Sequence, residues 1–402
     1  MSVVLLAVAF NHQADDTASG ALNIRRNAEE PVTVPEWQRG VNFSSADSFA
    51  AYSIEHSIGR PVTIRAKFAR ILPHLTSVQV RAVQPPLPWT LLSSTTGWTQ
   101  GLLATQVNVL GELAPETVFF SDFGDSDYVS FTLRNTRLPS CGVGVHRIRW
   151  HWQFRAGIGS PWREFAVTEH TIYTVLRKPT LPWLQQPANV ANTQLPWTDA
   201  LDFACRWAQG ARTPEEAAAT ITRTVYSLGN GVLSYDCAVG AAAYSFEVFL
   251  LSELIELFRG GLGRGHYINC SDCATLVATF ANVVGADLWQ SRMGGPFTSP
   301  FGYFPVNRLR TIGAAAWSLP CGWWPGWTFH EVAWKGGCTE EDAVFDACLQ
   351  LDAYPPYGVA LAPTNLRFGR IGELAYRALL AAPEGYALCS PIPFSRQRRP
   401  VA

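Results

Sequence analysis

Cys270 lies in a segment whose pattern is typical of a reactive thiol. Glycines at positions 260, 261, 263 and 265 lead up to it, and the residues that follow are compatible with a helix ending at Gly285. Cys270 is therefore predicted to open a helix, where the macrodipole and free backbone N–H groups favour a thiolate. The same N–H groups can stabilise an oxyanion. This position suits nucleophilic attack on a carbonyl group.

A thiolate nucleophile needs a base, and the second half of the chain offers two histidines for that role. His266 precedes Cys270 in the glycine-rich approach and is predicted to be a loop residue. His330 lies in the segment Trp327–Trp334, whose alternation of residue types indicates a strand. We therefore predict His330 as the base, although a strand histidine satisfied by a core partner would give the same pattern.

The third member of a triad is predicted in the segment that follows. In Val344–Asp352 the polar residues Asp346, Cys348, Gln350 and Asp352 alternate with apolar ones, which indicates one strand. If this strand pairs with that of His330, Asp346 can orient the imidazole. The predicted triad is Cys270, His330 and Asp346, with Asp352 as an alternative third member.

Structural interpretations of the same residues stay open. A Cys in a helix is often a small buried hydrophobe, and Cys273, one turn beyond Cys270, is predicted to be structural. Cys270-x-x-Cys273 could instead be half of a zinc site or a redox pair, but no second close Cys or His pair completes it. Asp272 is predicted to cap the helix start. No metal or other cofactor is expected.

Four residues are predicted to bind substrate. Asn269 directly precedes Cys270, and three tryptophans lie in a Pro- and Gly-rich segment just before His330. Such aromatic rings could form a wall that grips an extended acyl donor or peptide, or they could simply pack over the core. The predicted substrate-binding residues are Asn269, Trp323, Trp324 and Trp327.

The periodicity of the chain predicts two domains. Period-two alternation, clearest in Val145–Arg155, and turn-rich connections indicate a β-sandwich of immunoglobulin-like architecture for residues 1–178. Prolines at positions 179, 182, 187 and 196 mark residues 179–197 as a linker. From residue 198 to residue 402 helical patterns precede strand patterns, which predicts an α+β domain.

The second domain resembles the transglutaminase-like branch of the papain-fold thiol enzymes. That family has a Cys opening a helix as Cys-x-Asp-x-Ala with a Gly fifteen residues beyond it, which Cys270–Ala274 and Gly285 match (285 − 270 = 15). It then places a His on one strand and an Asp on the next, as His330 and Asp346 are placed. The resemblance covers roughly residues 198–355 and implies a Cys–His–Asp thiol enzyme. Unlike the family pattern, Glu331–Ala333 separate the His from the next Trp, and Ala347 follows the Asp.

Composition limits the partners and the compartment. The chain has 402 residues, 31 basic against 32 acidic, and no charged block, so a dedicated nucleic-acid binder is not expected. No apolar run is long enough to span a bilayer, and the apolar first ten residues are predicted to be a strand. Nine scattered cysteines, an odd number, suit free thiols in a reducing compartment, which predicts a cytoplasmic protein.

Together these observations predict a cysteine protease or amidase that passes through an acyl-enzyme on Cys270. The β-domain would position a protein or peptide substrate or bind a protein partner. Two alternatives remain. Acyl transfer to an amine would make the protein a crosslinking enzyme, and the animal crosslinking enzymes' acidic calcium-binding loops are not apparent in the sequence. The chain could also be a non-catalytic interaction protein that uses the β-domain.

Overall fold

A computed structural model describes residues 2–12, 20–84, 109–184, 194–294, 302–352, 366–369 and 375–402. The chain divides into two compact units. The first comprises Met1–Lys178 and Gln185–Gly210, and the second comprises Pro179–Leu184 and Ala211–Ala402. The domain boundaries drawn from the sequence, with a linker over residues 179–197, stay a prediction.

The first unit is mostly β-structure with two described α-helices. Its strands are β1 (Val3–Ala9), β2 (Trp37–Gln38), β3 (Phe49–Ser53), β4 (Thr63–Arg70), β5 (Ser77–Val83), β6 (Glu112–Phe119), β7 (Val129–Arg134), β8 (Gly144–Arg155) and β9 (Arg163–Val175). Its helices are α1 (Ile54–Ser57) and α2 (Thr198–Trp207). A 3-10 turn covers Leu138–Ser140.

The strands of this unit form one curled nine-stranded sheet in the order β2-β1-β4-β7-β6-β5-β8-β9-β3. Alternation in β8 puts Trp150 and Trp152 into its core, where each indole N–H is satisfied, by the Gly111 carbonyl and by Thr168 respectively. The alternating strands were therefore predicted correctly as half-buried antiparallel strands. The expected two-sheet sandwich is instead a single hydrogen-bonded sheet that encloses its own core.

The second unit mixes helices with short strands. Its helices are α3 (Pro214–Ser227), α4 (Leu251–Phe258), α5 (Cys270–Val283) and α6 (Tyr376–Leu380). Its strands are β10 (Ser234–Tyr235), β11 (Tyr267–Ile268), β12 (Leu288–Gly294), β13 (Phe304–Pro305), β14 (Leu309–Thr311), β15 (Gly326–Trp327), β16 (Phe329–Lys335), β17 (Ala343–Phe345), β18 (Leu349–Leu351) and β19 (Leu366–Arg367). Further 3-10 turns cover Pro320–Gly322 and Pro383–Gly385.

A buried helix on a small sheet forms the centre of this unit. Every residue of α5 is buried, and α5 packs against β12, β16 and α3. The sheet has the order β12-β16-β17-β19 with antiparallel neighbours. No helix within the described ranges is long and apolar enough to cross a membrane.

Two elements differ from their sequence patterns because of contacts with distant residues. The apolar residues from Phe246 to Phe258 form a stripe that favours a helix over that whole stretch, but α4 begins at Leu251, because the backbone of Phe249 pairs instead with Pro400 and Val401. The strand expected over Val344–Asp352 divides into β17, which pairs with β16, and β18, which pairs with β14. Cys348 and Gln350, which the alternation puts on the polar face of that strand, are buried.

Candidate active site

The start of α5 is fixed by a reciprocal capping box. The Asn269 side-chain oxygen accepts the backbone N–H groups of Ser271 (2.9 Å) and Asp272 (3.2 Å), and the Asp272 carboxylate accepts the N–H of Asn269 (3.1 Å). The Asn269 amide nitrogen donates to the Gly240 carbonyl at 2.9 Å. Because both ends of this side chain are engaged, Asn269 holds the helix start, and its predicted contact with substrate stays a prediction.

Asp272 also ties a neighbouring loop to the helix start. Its carboxylate accepts the backbone N–H groups of Ala243 (2.9 Å), Tyr244 (2.9 Å) and Ser245 (2.7 Å). Burial raises the pKa of Asp272 even though these N–H groups lower it. Its position agrees with the capping role expected from the sequence, and it leaves Cys270 as the first residue of a rigidly anchored helix.

His330 and Asp346 meet as the antiparallel pairing of β16 and β17 allows. The register aligns Ala333 with Phe345 and Trp334 with Val344, so Asp346 follows β17 on the side of His330. His330 Nε2 donates to Asp346 Oδ2 at 2.9 Å, and both side chains are buried. Asp352, the alternative third member, is half-buried beyond β18.

Cys270 is the second group that acts on His330. The Nδ1 atom of His330 is buried and makes no hydrogen bond within the described part of the chain, whereas the Cys270 thiol interacts with this ring. Burial lowers the pKa of His330, but Asp346 and then Cys270 outweigh burial and raise it from 6.5 to about 10. His330 is therefore an imidazolium at neutral pH, between a carboxylate and a thiol, and thiol–imidazole contacts often tighten only when substrate binds.

Two further groups donate hydrogen bonds to the Asp346 carboxylate, and no sequence pattern marks one of them. The Tyr376 hydroxyl donates to Asp346 Oδ2 at 2.7 Å, and the backbone N–H of Cys348 donates to Oδ1 at 2.7 Å. Burial and Asp346 together raise the pKa of Tyr376 well above its ordinary value, so its hydroxyl stays a donor. Tyr376 lies on α6, thirty residues beyond Asp346 (376 − 346 = 30) and outside any motif near it.

The three predicted substrate-binding tryptophans occupy different environments. Trp327 is buried and stacks on the His330 ring, with ring centroids 5.0 Å apart. Trp324 is half-buried and lies edge-on to Tyr235, with ring centroids 6.1 Å apart. Trp323 packs against Trp324 and is 67 % exposed. The structure thus brings an aromatic series from the surface to the imidazole, and substrate contact by these rings stays a prediction.

Tyr235 is a neighbour of the thiol that the sequence analysis did not single out as a site residue. Its ring is buried on β10, and its hydroxyl interacts electrostatically with the Trp327 indole and with Cys270. Burial, followed by Cys270, raises the pKa of Tyr235 far above its ordinary value. The hydroxyl is therefore a protonated donor beside the thiol.

Not all cysteines are free, contrary to the expectation from the sequence. Cys237 and Cys321 form a disulfide that joins the loop after β10 to the tryptophan-rich segment. Disulfides persist mainly in oxidising compartments, so this pair counts against the reducing environment on which the predicted cytoplasmic location was based. Cys273 and Cys348 are free, buried and in contact with each other, which agrees with a structural role for Cys273.

His266 is exposed before β11, and its Nδ1 pairs with the Val232 carbonyl at 2.8 Å, as expected of a loop residue. Over the ranges that the structure describes, no group of three or more His, Cys, Asp or Glu side chains could hold a metal ion. The zinc alternative for Cys270 and Cys273 therefore gains no ligands there.

Comparisons with known proteins add little to this geometry. No protein-family model matches the chain, and no curated protein matches it. Among solved structures, the crystal structure of red sea bream transglutaminase is similar, with a TM-score of 0.34 and 12 % identity over 72 % of this chain and 48 % of that chain. The chain thus spans about half the length of that enzyme. A likeness with so low a score supports no conclusion about the fold or the function of this chain.

Proposed function

We propose that the protein is a thiol enzyme that cleaves amide or peptide bonds through an acyl-enzyme on Cys270. One observation carries the proposal. A buried His330 is held by the Asp346 carboxylate at 2.9 Å and is acted on by the thiol of Cys270, which opens a helix. Nucleophile, base and orienting carboxylate in this order are the arrangement that activates a thiol for acyl transfer.

The proposed reaction has two halves. The Cys270 thiolate attacks the carbonyl carbon, a C–S bond forms, and the His330 imidazolium gives its proton to the departing amine as the C–N bond breaks. Water then attacks the thioester while His330 takes its proton. The C–S bond breaks, and a carboxylic acid is released. Asp346 keeps the imidazole oriented in both halves.

Two donors are proposed to stabilise the oxyanion. Asn269 occupies the N–H groups of Ser271 and Asp272, but it does not cap the N–H of Cys270. The Cys270 N–H and the protonated Tyr235 hydroxyl beside the thiol are therefore the proposed pair. Removing one such donor from an active site typically slows catalysis by about 10²–10³-fold.

Water is the proposed acceptor and a primary amine is the alternative. We favour water because the acidic calcium-binding loops of the animal crosslinking enzymes are not apparent in the sequence, and many chains that resemble the family without these loops are inferred to be proteases or amidases. The proposed substrate is a protein or peptide, with the nine-stranded unit as a surface for it or for a protein partner. The proposed site needs no metal or other cofactor.

Trapping of the acyl-enzyme tests this function. The full chain is mixed with an activated ester and, separately, with peptide amides, and the acylated residue is located by peptide mass spectrometry. We expect acylation of Cys270, its loss in Cys270→Ala, and its retention in Cys273→Ala, the matched control one turn away. A fluorescent primary amine in the mixture distinguishes transfer from hydrolysis. Equal loss in both folded variants contradicts the assignment, and a wild-type protein that no donor acylates indicates a non-catalytic interaction protein.

A further inference from the structure

A second buried charged cluster adjoins the proposed site. Glu331 directly follows His330 and is 0 % exposed. Its carboxylate accepts two hydrogen bonds from Arg399, through Nη1 (2.6 Å) and Nη2 (3.2 Å), and one from Arg292 Nε (3.1 Å). The Ser271 hydroxyl donates to the same carboxylate at 2.7 Å. Ser271 follows Cys270 in the chain and Glu331 follows His330. The residue after the proposed nucleophile is therefore hydrogen-bonded to the residue after the proposed base.

The cluster is charged despite its burial. Burial raises the pKa of Glu331, but the hydrogen bonds and charge of Arg399, followed by Ser271 and Arg292, lower it below its ordinary value. An ion pair in such a place is weak evidence for stability, because apolar side chains of similar volume often serve as well. Apolar side chains would not, however, fix the position of α5 relative to β16, the two elements that the cluster joins.

Three segments meet at Arg399. Besides Glu331 on β16, its guanidinium donates to the Thr275 hydroxyl on α5 (2.8 Å) and to the Phe246 carbonyl (2.8 Å). The segment around Arg399 is itself held by backbone pairing, since the Phe249 N–H donates to the Pro400 carbonyl at 2.8 Å. Arg399 therefore links α5 to β16, and its own segment is held in place by its backbone pairing with Phe249.

We propose that Glu331 and Arg399 are positioning residues for the reaction. They hold the start of α5 against β16 through Ser271, so that the Cys270 thiol faces His330. The inference rests on the proposed function, because the Cys270–His330 pair is what the cluster positions. Loss of the cluster loosens that pair without removing either member, and the thiol then loses its neighbouring imidazolium.

The test uses the reactivity of Cys270 itself. Ser271→Ala removes the helix-to-strand hydrogen bond and leaves the ion pair, whereas Arg399→Met removes the cation and Arg399→Lys restores a positive charge. Arg396→Met is the matched control, because Arg396 is exposed in the same segment and its guanidinium carbon lies over the Trp289 ring, 3.6 Å from the ring centroid. The rate of Cys270 alkylation by iodoacetamide is measured against pH on full-length proteins whose folding is checked by near-ultraviolet circular dichroism.

We expect wild type and Arg396→Met to be alkylated rapidly at a rate that changes little across neutral pH. Ser271→Ala and Arg399→Met are expected to react about tenfold or more slowly at neutral pH, with rates that climb as pH rises. Arg399→Lys should recover part of the rate. A folded Ser271→Ala with the wild-type rate and pH profile overturns the inference, even if Arg399→Met does not fold. Slow labelling of Cys270 in the wild type instead contradicts the proposed function.

Discussion

Replacement of Asp346 by Asn tests the electrostatics of the proposed site. The two side chains have nearly the same shape, but Asn has one oxygen, so the change removes the charge and also the acceptor at either Oδ1, which the Cys348 N–H uses, or Oδ2, which His330 and Tyr376 share. His330 loses the most electrostatic stabilisation, because its Nε2–H no longer has a charged carboxylate acceptor 2.9 Å away. Of the groups that raise the pKa of His330, the Cys270 thiol then remains.

The expected magnitude follows from the pKa of His330. The difference between 6.5 and about 10 corresponds to about 5 kcal/mol, at about 1.4 kcal/mol for each factor of ten. Burial opposes both groups, and Asp346 acts on His330 more strongly than Cys270 does, so the substitution should remove more than half of this stabilisation. The acyl-transfer rate should fall by about 10²–10⁴-fold, since the imidazole is no longer held in the required orientation.

The sign of the pH dependence separates this account from simple destabilisation. Because the folded-state pKa of His330 is raised, its contribution to stability is complete below about pH 6.5 and is lost as pH rises through about 10. Urea unfolding of the wild type and of Asp346→Asn is measured across that range, with Asp352→Asn as the matched control. We expect the difference between wild type and Asp346→Asn to shrink as pH rises. Parallel curves for the two proteins would refute the reasoning.

Three further predictions concern neighbours of the triad. Tyr376→Phe should lower the free energy of unfolding by about 1–2 kcal/mol and the acyl-transfer rate by several-fold, because the Asp346 carboxylate loses one buried hydrogen bond. Chemical denaturation measures the first effect and steady-state kinetics the second, and unchanged values would contradict the contact. Tyr235→Phe should slow acylation by about 10²-fold while iodoacetamide still alkylates Cys270, and an unchanged acylation rate would remove Tyr235 from the oxyanion site. Reduction of the Cys237–Cys321 disulfide, which joins residues 84 positions apart, should lower the free energy of unfolding by about 4 kcal/mol and so lower the melting temperature. A melting temperature that reductant does not change would contradict the disulfide.

The proposed site was predictable where local pattern determines structure. Cys270 was predicted to open a helix capped by Asp272, and the helix begins there, with Asn269 as the reciprocal member of a four-residue capping box. Alternation around His330 likewise identified β16, and the short connection to Asp346 favoured an antiparallel pair. Each of these inferences depends on residues close together in the chain.

The features that were missed depend on residues far apart in sequence. Arg399 and Glu331 are separated by 68 residues and Cys237 and Cys321 by 84, and nothing near either residue marks its partner. Pairing of Phe249 with the distant segment at Pro400 likewise overrides the local helix propensity of the apolar residues before α4. The strand predicted through Asp346 breaks because its carboxylate takes the Cys348 N–H in a local turn.

The single-sheet architecture of the first unit was also beyond the sequence pattern. Alternation in β8 identifies which side chains face the core, but it does not say whether the sheet closes on itself or packs against a second sheet. That choice is made by the pairing of β7 with both β4 and β6, which joins the two halves of the sheet.

Labelling of the native protein with iodoacetamide, followed by peptide mass spectrometry, tests the central claim most directly. The thiol of Cys270 is mostly buried, with 5 % of the residue exposed, so a small reagent is required. We predict that Cys270 reacts fastest of the free cysteines near neutral pH and that His330→Ala slows it by about tenfold or more. Slow labelling of Cys270 at the same rate as Cys273 and Cys348, unaffected by His330→Ala, would contradict an activated thiolate at this site.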